Sequence, residues 1–162
     1  MRHYDIKAIP TTYKKTTYRS RLEARWAVFF STLRIKYSYE PQVFSTRLGG
    51  YLPDFYLPKT KWLVEVKPNT PTQEEVIKVQ DVSSQSVNIA IVSGEPNITT
   101  ETKFFVNGKQ VFFKPSYWQQ ISTYWANRPV YVLVNLLNLE KLTGKRNFYK
   151  AFKTAKEYDF ER

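Results

Sequence analysis

Two acidic residues and a lysine stand within one short stretch, "YLPDFYLPKTKWLVEVKP" at residues 51–68. Alternate side chains of a strand share a face, so Glu65 and Lys67 of "WLVEVK" point the same way as Leu63. If "YLPDFYL" pairs with this strand, Asp54 faces Glu65 across roughly 5 Å, the usual spacing between strands. Two carboxylates at that spacing repel each other unless a cation lies between them. The pattern therefore predicts a cation site.

The chemistry of such a site follows from its ligands. Mg²⁺ prefers oxygen ligands at about 2.1 Å, and it completes its shell with water and substrate phosphate. The ammonium of Lys67 would lie beside that water, where it can hold the nucleophile or offset developing charge. The arrangement predicts hydrolysis of a phosphodiester. The alternative is a solvent-facing edge strand that carries an ordinary Glu–Lys pair.

The composition favours nucleic acid as the partner. The 162 residues include 25 Lys and Arg against 14 Asp and Glu, a formal net charge of +11, and such a field attracts a polyanion. There is no cysteine and a single histidine, His3, so a bound metal must take mainly oxygen ligands, which suits Mg²⁺ or Mn²⁺. No long apolar segment or export leader is evident, so we expect no membrane association and a cytoplasmic location.

The first long amphipathic segment predicts a helix from Arg19 to about Leu33. Glu23 lies at the edge of its apolar face, beside Phe30, at about 100° per residue. An alternative role for Glu23 is a capping box with Ser20, which would satisfy the start of the helix. The apolar positions that define the face are Leu22, Trp26, Phe29, Phe30 and Leu33.

The order of elements predicts a mixed α/β sheet with helices packed on it. After the first helix come three extended runs, "IKYSYEPQVF", "YLPDFYL" and "KWLVEVK", which suggest an antiparallel meander. Thr70 is the expected N-cap of a second helix, with Pro71 at its first position and Gln73 at its third, ending near Ser84. A buried strand, "VNIAIVSG", completes the order αβββαβ.

The two ends of the chain lie outside this order. Residues 1–18 carry Lys14 and Lys15 without clear periodicity, and they are expected to form a basic arm that is ordered only against the body or a ligand. Toward the other end, Asn107-Gly108 between two apolar runs predicts a tight hairpin. The remaining sequence is expected to be mainly helical, with a break near Gly144.

The ordered set of a helical Glu, a Pro-Asp and a Glu-Val-Lys resembles the PD-(D/E)XK nuclease superfamily. The matching segments are "YRSRLEARWAVFFSTLRIKYSYEP", "YLPDFYLP" and "WLVEVKP", and they look most like small phage and mobile-element members. The resemblance implies a restriction-endonuclease-like core over residues 19–96, with a mixed sheet of four or five strands and the site at a fork between the second and third. Residues 97–162 would then form an extension for substrate or partner recognition.

The resemblance also implies roles for individual residues. Asp54 and Glu65 match the metal-binding acids, and the carbonyl of Val66 would complete their set of ligands. Lys67 matches the catalytic lysine, and Glu23 matches a first-helix acid that assists metal binding. Lys78, on the second helix, falls where some members place a basic or amide residue near the site.

The expected substrate is DNA. Basic residues at the start of the first helix would contact the phosphate backbone, although plain solvation is the alternative for them. We therefore expect a Mg²⁺-dependent endonuclease, with no small-molecule cofactor, that nicks one strand at a specific sequence or structure. Alternatives are a junction resolvase or transposase nuclease subunit acting as a homodimer or with a partner protein, a ribonuclease, and a non-catalytic DNA-binding protein. The expected DNA contacts are Arg19, Arg21, Arg25, Lys78, Lys14 and Lys15.

Overall fold

The computed structural model describes residues 8–97, 100–112 and 144–161, and within these it is a mixed α/β fold with three helices and a six-stranded mixed sheet. The helices are α1 (Arg21–Thr32), α2 (Gln73–Ser83) and α3 (Gly144–Glu157). The strands are β1 (Thr11–Tyr13), β2 (Thr16–Tyr18), β3 (Ser38–Tyr39), β4 (Phe44–Thr46), β5 (Gly49–Tyr51), β6 (Phe55–Leu57), β7 (Trp62–Lys67), β8 (Asn88–Ser93), β9 (Glu101–Val106) and β10 (Lys109–Val111).

The six-stranded sheet has the order β10-β9-β8-β7-β6-β3. Strand β7 pairs with β6 in antiparallel and with β8 in parallel orientation, because α2 carries the chain back between β7 and β8. The predicted hairpin is confirmed, and its turn has Asn107 and Gly108 at φ values of 50° and 75°. Its strands β9 and β10 extend the sheet at one edge. Residues 19–96 contribute four strands to the sheet, β3, β6, β7 and β8, which agrees with the expected four or five, and the added hairpin brings the total to six.

The sheet separates two apolar cores. On one face, Trp62, Val64 and Val66 of β7 pack with α1, α3 and the β1–β2 hairpin. On the opposite face, Leu63 packs with α2 and the β4–β5 hairpin. The alternation of β7 accounts for this division, since successive side chains leave the sheet on opposite sides. Glu65 and Lys67 consequently lie on the α2 side.

Both central helices begin at a side-chain cap. Ser20 caps α1 by accepting a hydrogen bond from the backbone N–H of Glu23 at 3.1 Å. Thr72 caps α2 in a full capping box with Glu75. The predicted N-cap at Thr70 was wrong by two residues, because only Thr72 has a glutamate three positions later that can close the box. Gln73 is thus the first residue of α2 rather than the third.

The N-terminal segment contains a hairpin that the sequence did not predict. Strands β1 and β2 are joined by Lys14 and Lys15, both with positive φ, and Tyr13 and Tyr18 enter the main core. At the other end of the chain, α3 confirms the helical prediction for its residues, and Phe152 stacks on a phenylalanine of α1 with ring centres 5.1 Å apart. The helices expected between residues 113 and 143 lie outside the described residues.

No helix among the residues that the structure describes is long and apolar enough to cross a membrane.

Candidate active site

Asp54 lies where strands β6 and β7 part. The ladder between these strands runs from Leu57–Trp62 to Phe55–Val64. Beyond that pair, the backbone N–H of Val66 donates to the Asp54 carboxylate at 2.7 Å instead of to a carbonyl of the neighbouring strand. Asp54 is 3% exposed. The proline before it and the bond to Val66 hold its carboxylate at the end of the shared ladder, facing the next residues of β7.

Glu65 lies beside Asp54 and is also buried. Its Oε1 atom accepts from the ammonium of Lys67 at 2.8 Å. The other carboxylate oxygen, Oε2, is buried and makes no hydrogen bond of ordinary geometry, and its near neighbour is the buried Tyr51 hydroxyl of β5, which lies close enough to act on the pKa of Glu65. Buried carboxylate oxygens are usually well bonded, since a poorly paired one costs about 1–3 kcal/mol. A buried carboxylate oxygen with only this weak contact is one that a ligand can take.

The ammonium of Lys67 contacts two carboxylates. Besides Glu65, it lies 3.0 Å from Oε1 of Glu75, a residue of the first turn of α2. The lysine is mostly buried, with a side chain 21% exposed. An ammonium has three donors, so one remains beyond these two contacts. It is available to hold a water molecule or an anionic oxygen at the open side of the site.

Arg19 joins the acids on the other side. Its Nη2 atom donates to Asp54 Oδ1 at 2.8 Å, and its Nε atom lies 2.6 Å from Glu40 Oε1. Glu40 has a positive φ of 47°, and its backbone N–H donates to the Asp54 carbonyl at 2.8 Å. A glutamate in this strained conformation persists only where its surroundings hold it. The Arg19 side chain is 54% exposed, so it can leave these partners without crossing the core.

Glu23 serves both the start of α1 and the site. Its carboxylate accepts from the Ser20 hydroxyl at 2.7 Å, the Tyr39 hydroxyl at 2.6 Å and the Arg19 backbone N–H at 3.2 Å. The capping alternative is confirmed only in part, because Ser20 caps the Glu23 N–H, but the Glu23 carboxylate accepts from the Ser20 hydroxyl and the Arg19 N–H and not from the Ser20 N–H. It does not exclude a second role, because Glu23 is close enough to Asp54 for its charge to raise the pKa of that acid.

The electrostatics of the pair show a deficit of positive charge. Burial raises the pKa of Asp54 well above its ordinary value, and the charges of Glu65 and Glu23 raise it further, although Val66 and Arg19 act in the opposite direction. Burial likewise raises the pKa of Glu65, despite its contact with Lys67. For Lys67, burial lowers the pKa, but the two glutamates outweigh this effect and leave it raised. The lysine therefore stays charged, but Arg19 and Lys67 each divide their charge between one of the two buried acids and a further glutamate, so positive charge is short at the site.

The donor set fits a hard divalent cation. Asp54 and Glu65 supply buried carboxylate oxygens, and Mg²⁺ and Mn²⁺ prefer such ligands. Within the described parts of the chain, no three acidic or histidine side chains are already gathered as a ligand set. A cation would share the two central acids with Arg19 and Lys67.

The other predicted DNA contacts are spread around the site. Arg21 lies 3.2 Å from Glu161, and Lys78 pairs with Glu74 one turn earlier in α2 at 3.3 Å. Arg25 is largely buried and binds the last carbonyls of α3, at Ala155 and Lys156. Lys14 and Lys15 form the turn of the N-terminal hairpin. Of the basic residues predicted from the sequence, only Arg19 contacts Asp54 and only Lys67 contacts Glu65 in the described parts of the chain.

Three residues of the site were missed from the sequence. Tyr39 and Tyr51 come from segments that were treated only as extended structure, and neither has a local pattern that marks it. Glu75 could have been found as a capping residue, since it follows Thr72 by three residues, and a threonine with a glutamate at that spacing is the signature of a capping box. Glu40, just before Pro41, fits an ordinary turn acid as well as a site residue by its sequence, and in the structure it contacts Arg19.

A comparison of the chain with protein-family models, with curated proteins and with solved structures finds no match. The account of the site therefore depends on the residues and their geometry.

Proposed function

We propose that this chain is a Mg²⁺-dependent DNA endonuclease of the PD-(D/E)XK superfamily with a restriction-endonuclease-like core. One observation carries the proposal. Two buried carboxylates, Asp54 and Glu65, lie together where two strands part, and a largely buried lysine, Lys67, contacts Glu65. A structural Glu–Lys pair has no need for a second buried acid beside it, because two buried like charges repel each other and their burial costs stability.

The roles of the residues follow from their positions. Asp54, Glu65 and the Val66 carbonyl would hold the cation, with Glu23 in support. When bound, Mg²⁺ would lower the pKa of its water and stabilise negative charge on the phosphate. Lys67 would use its remaining donor to orient the attacking water.

Arg19 would supply the phosphate contact closest to the reaction. Its side chain is half exposed and already lies against Asp54, so a short movement would bring the guanidinium to a substrate phosphate. Arginine suits this role, since its planar donors match phosphate oxygens.

The charge of the chain supports a polyanionic substrate. A formal net charge of +11 favours binding of the DNA backbone in a salt-dependent way. One site in each chain would cut one strand per encounter, so we propose nicking at a specific sequence or structure, in a phage or mobile-element context. A junction resolvase or transposase nuclease subunit, paired with a second copy or a partner protein, is the related alternative.

Conversion of a supercoiled plasmid tests the proposal. With Mg²⁺, the wild-type protein should produce open circles, and Glu65→Gln should reduce the rate by at least about 10³-fold, as expected when a group central to the reaction is lost. Glu101→Gln is a matched control. Glu101 begins β9, and it reaches the same end of the sheet through the pairs Lys67–Ser93 and Ser93–Glu101, but it is exposed.

Binding measurements separate the alternatives. Glu65→Gln should bind DNA as tightly as wild type. If neither protein cuts a set of supercoiled, branched and single-stranded DNA substrates while both bind, the chain is a DNA-binding protein on a nuclease scaffold. Cleavage of matched RNA but not of DNA would identify a ribonuclease. Equal cutting by wild type and Glu65→Gln would refute the assigned site.

A further inference from the structure

Glu75 joins the start of helix α2 to the lysine of the site. Its Oε2 atom accepts from the Thr72 backbone N–H at 2.8 Å and from the Thr72 hydroxyl at 3.1 Å. Its other oxygen, Oε1, lies 3.0 Å from the ammonium of Lys67. The two oxygens of one carboxylate thus bind two different elements, the N-terminus of α2 and the end of β7.

This arrangement restricts the lysine more than Glu65 alone could. A lysine side chain has four rotatable bonds and loses up to about 2 kcal/mol of rotamer entropy when it is fixed. Glu65 precedes it by two residues on the same strand face, while Glu75 approaches from α2, so the ammonium is held from two elements. The capping box in turn fixes Glu75, because its carboxylate is already bound to the backbone.

We propose that Glu75 is a positioning residue, which holds the Lys67 ammonium so that its third donor points to the reacting water or phosphate. This inference rests on the proposed function and adds a residue to it. Capping glutamates ordinarily bind only the start of their own helix. Here the second oxygen is used on a buried lysine, although Lys67 already has a carboxylate partner in Glu65.

The inference also explains the length of the connection after β7. Residues 68–72 bring α2 back so that its first turn, rather than a later one, meets the end of the strand. The first turn carries the unpaired backbone N–H groups that a glutamate can bind. One side chain can therefore cap the helix and reach the lysine at the same time.

The test is Glu75→Gln, measured as the single-turnover nicking rate at saturating protein. Glutamine can still accept from Thr72, but it has lost the charge that attracts the ammonium. We expect the rate to fall by about 10-fold or more, as for groups that orient a reacting residue. The dissociation constant for uncut plasmid should stay within about twofold, since Glu75 has no part in binding the backbone.

Glu74→Gln is the matched control. It makes the same change in the same turn of α2, but Glu74 is exposed and contacts Lys78 instead of Lys67. Its nicking rate should stay within about twofold of the wild-type rate, because the loss of one exposed charge away from Lys67 changes little.

Thr72→Ala separates positioning from helix capping. It removes the hydroxyl of the same cap, and we expect its melting temperature to fall by about 2–4 °C. Its nicking rate should fall less than that of Glu75→Gln.

Three results would overturn the inference. A Glu75→Gln rate within twofold of wild type would show that Lys67 does not need Glu75. An equal loss of rate in Thr72→Ala would assign the effect to the cap. A wild-type protein that cuts no nucleic acid would refute the proposed function, and with it this role of Glu75. If wild type is active and Glu75→Gln cuts at the same rate, only the role of Glu75 is refuted.

Discussion

The variant Asp54→Asn should be more stable than wild type when no metal is bound. It should be less stable than wild type when Mg²⁺ is present. Asp54 is an acid whose pKa is raised in the folded state, first by burial and then by Glu65. Below the unfolded pKa the carboxyl is protonated in both states and its charge costs nothing. As pH rises above about 4, the usual value for aspartate, the unfolded state ionises more readily and the folded state loses stability.

The size of the gain follows from two opposing terms. Each unit by which the folded pKa exceeds the unfolded one costs wild type about 1.4 kcal/mol at a pH above both values. Asparagine avoids this cost and still accepts from the Val66 N–H, but it loses the contact with Arg19. That contact involves a half-exposed guanidinium and is worth about 0–1 kcal/mol. Burial and the neighbouring Glu65 act on the whole charge of Asp54, whereas the lost contact is a half-exposed one, so the net effect of Asp54→Asn should be a higher Tm than that of wild type.

Thermal unfolding at several pH values, with EDTA or Mg²⁺, measures both effects. At pH 8 in EDTA, Asp54→Asn should melt above wild type, and the difference should vanish near pH 4. Mg²⁺ at about 100 times its dissociation constant should add ~2.7 kcal/mol to wild type alone, which reverses the order.

Asp81→Asn is the control of opposite sign. Asp81 is an aspartate whose pKa is lowered by its bonds to Arg47, so its substitution should lower Tm and leave the response to Mg²⁺ intact. A lower Tm for Asp54→Asn in EDTA at pH 8, or an equal response of both variants to Mg²⁺, would refute the reasoning.

Two further substitutions test the surroundings of the site. Arg19→Gln removes the guanidinium that pairs with Asp54, so it should tighten Mn²⁺ binding by about 5-fold, equivalent to ~1 kcal/mol, in a calorimetric titration. Weaker binding would show that Arg19 does not compete with the ion. Arg25→Met should lower the free energy of unfolding in urea by about 2–4 kcal/mol, because the guanidinium binds two carbonyls at the end of α3, at Ala155 and Lys156. An unchanged urea midpoint would show that these bonds do not hold α3 to α1.

Periodicity was sufficient to predict the central elements. The period-two pattern of β7 predicted that Glu65 and Lys67 share a face, and the period near 3.6 in α1 placed Glu23 at the edge of its apolar side. These patterns succeed because each element buries one face against the same sheet. The Asn107-Gly108 hairpin was equally clear, since both residues accept the positive φ that its turn requires.

The missed features depend on contacts between distant segments. The β1–β2 hairpin turns at Lys14 and Lys15, which are unusual at positive φ, so no turn signal was present. The bonds of Arg19 to Glu40 and Asp54 depend on the conformation of a long side chain, which the local sequence does not determine. The cap of α2 was misplaced because Thr70 and Thr72 are both good caps, and only the position of Glu75 decides between them.

A Mn²⁺ titration followed by electron paramagnetic resonance tests whether Asp54 and Glu65 together bind a divalent cation, as proposed. Wild type should remove free Mn²⁺ from solution in a saturable way, Mg²⁺ should compete for the same ion site, and Asp54→Asn combined with Glu65→Gln should abolish the binding while the protein remains folded. Absence of saturable Mn²⁺ binding in wild type, or the same affinity in the double variant, would show that Asp54 and Glu65 are not a cation site.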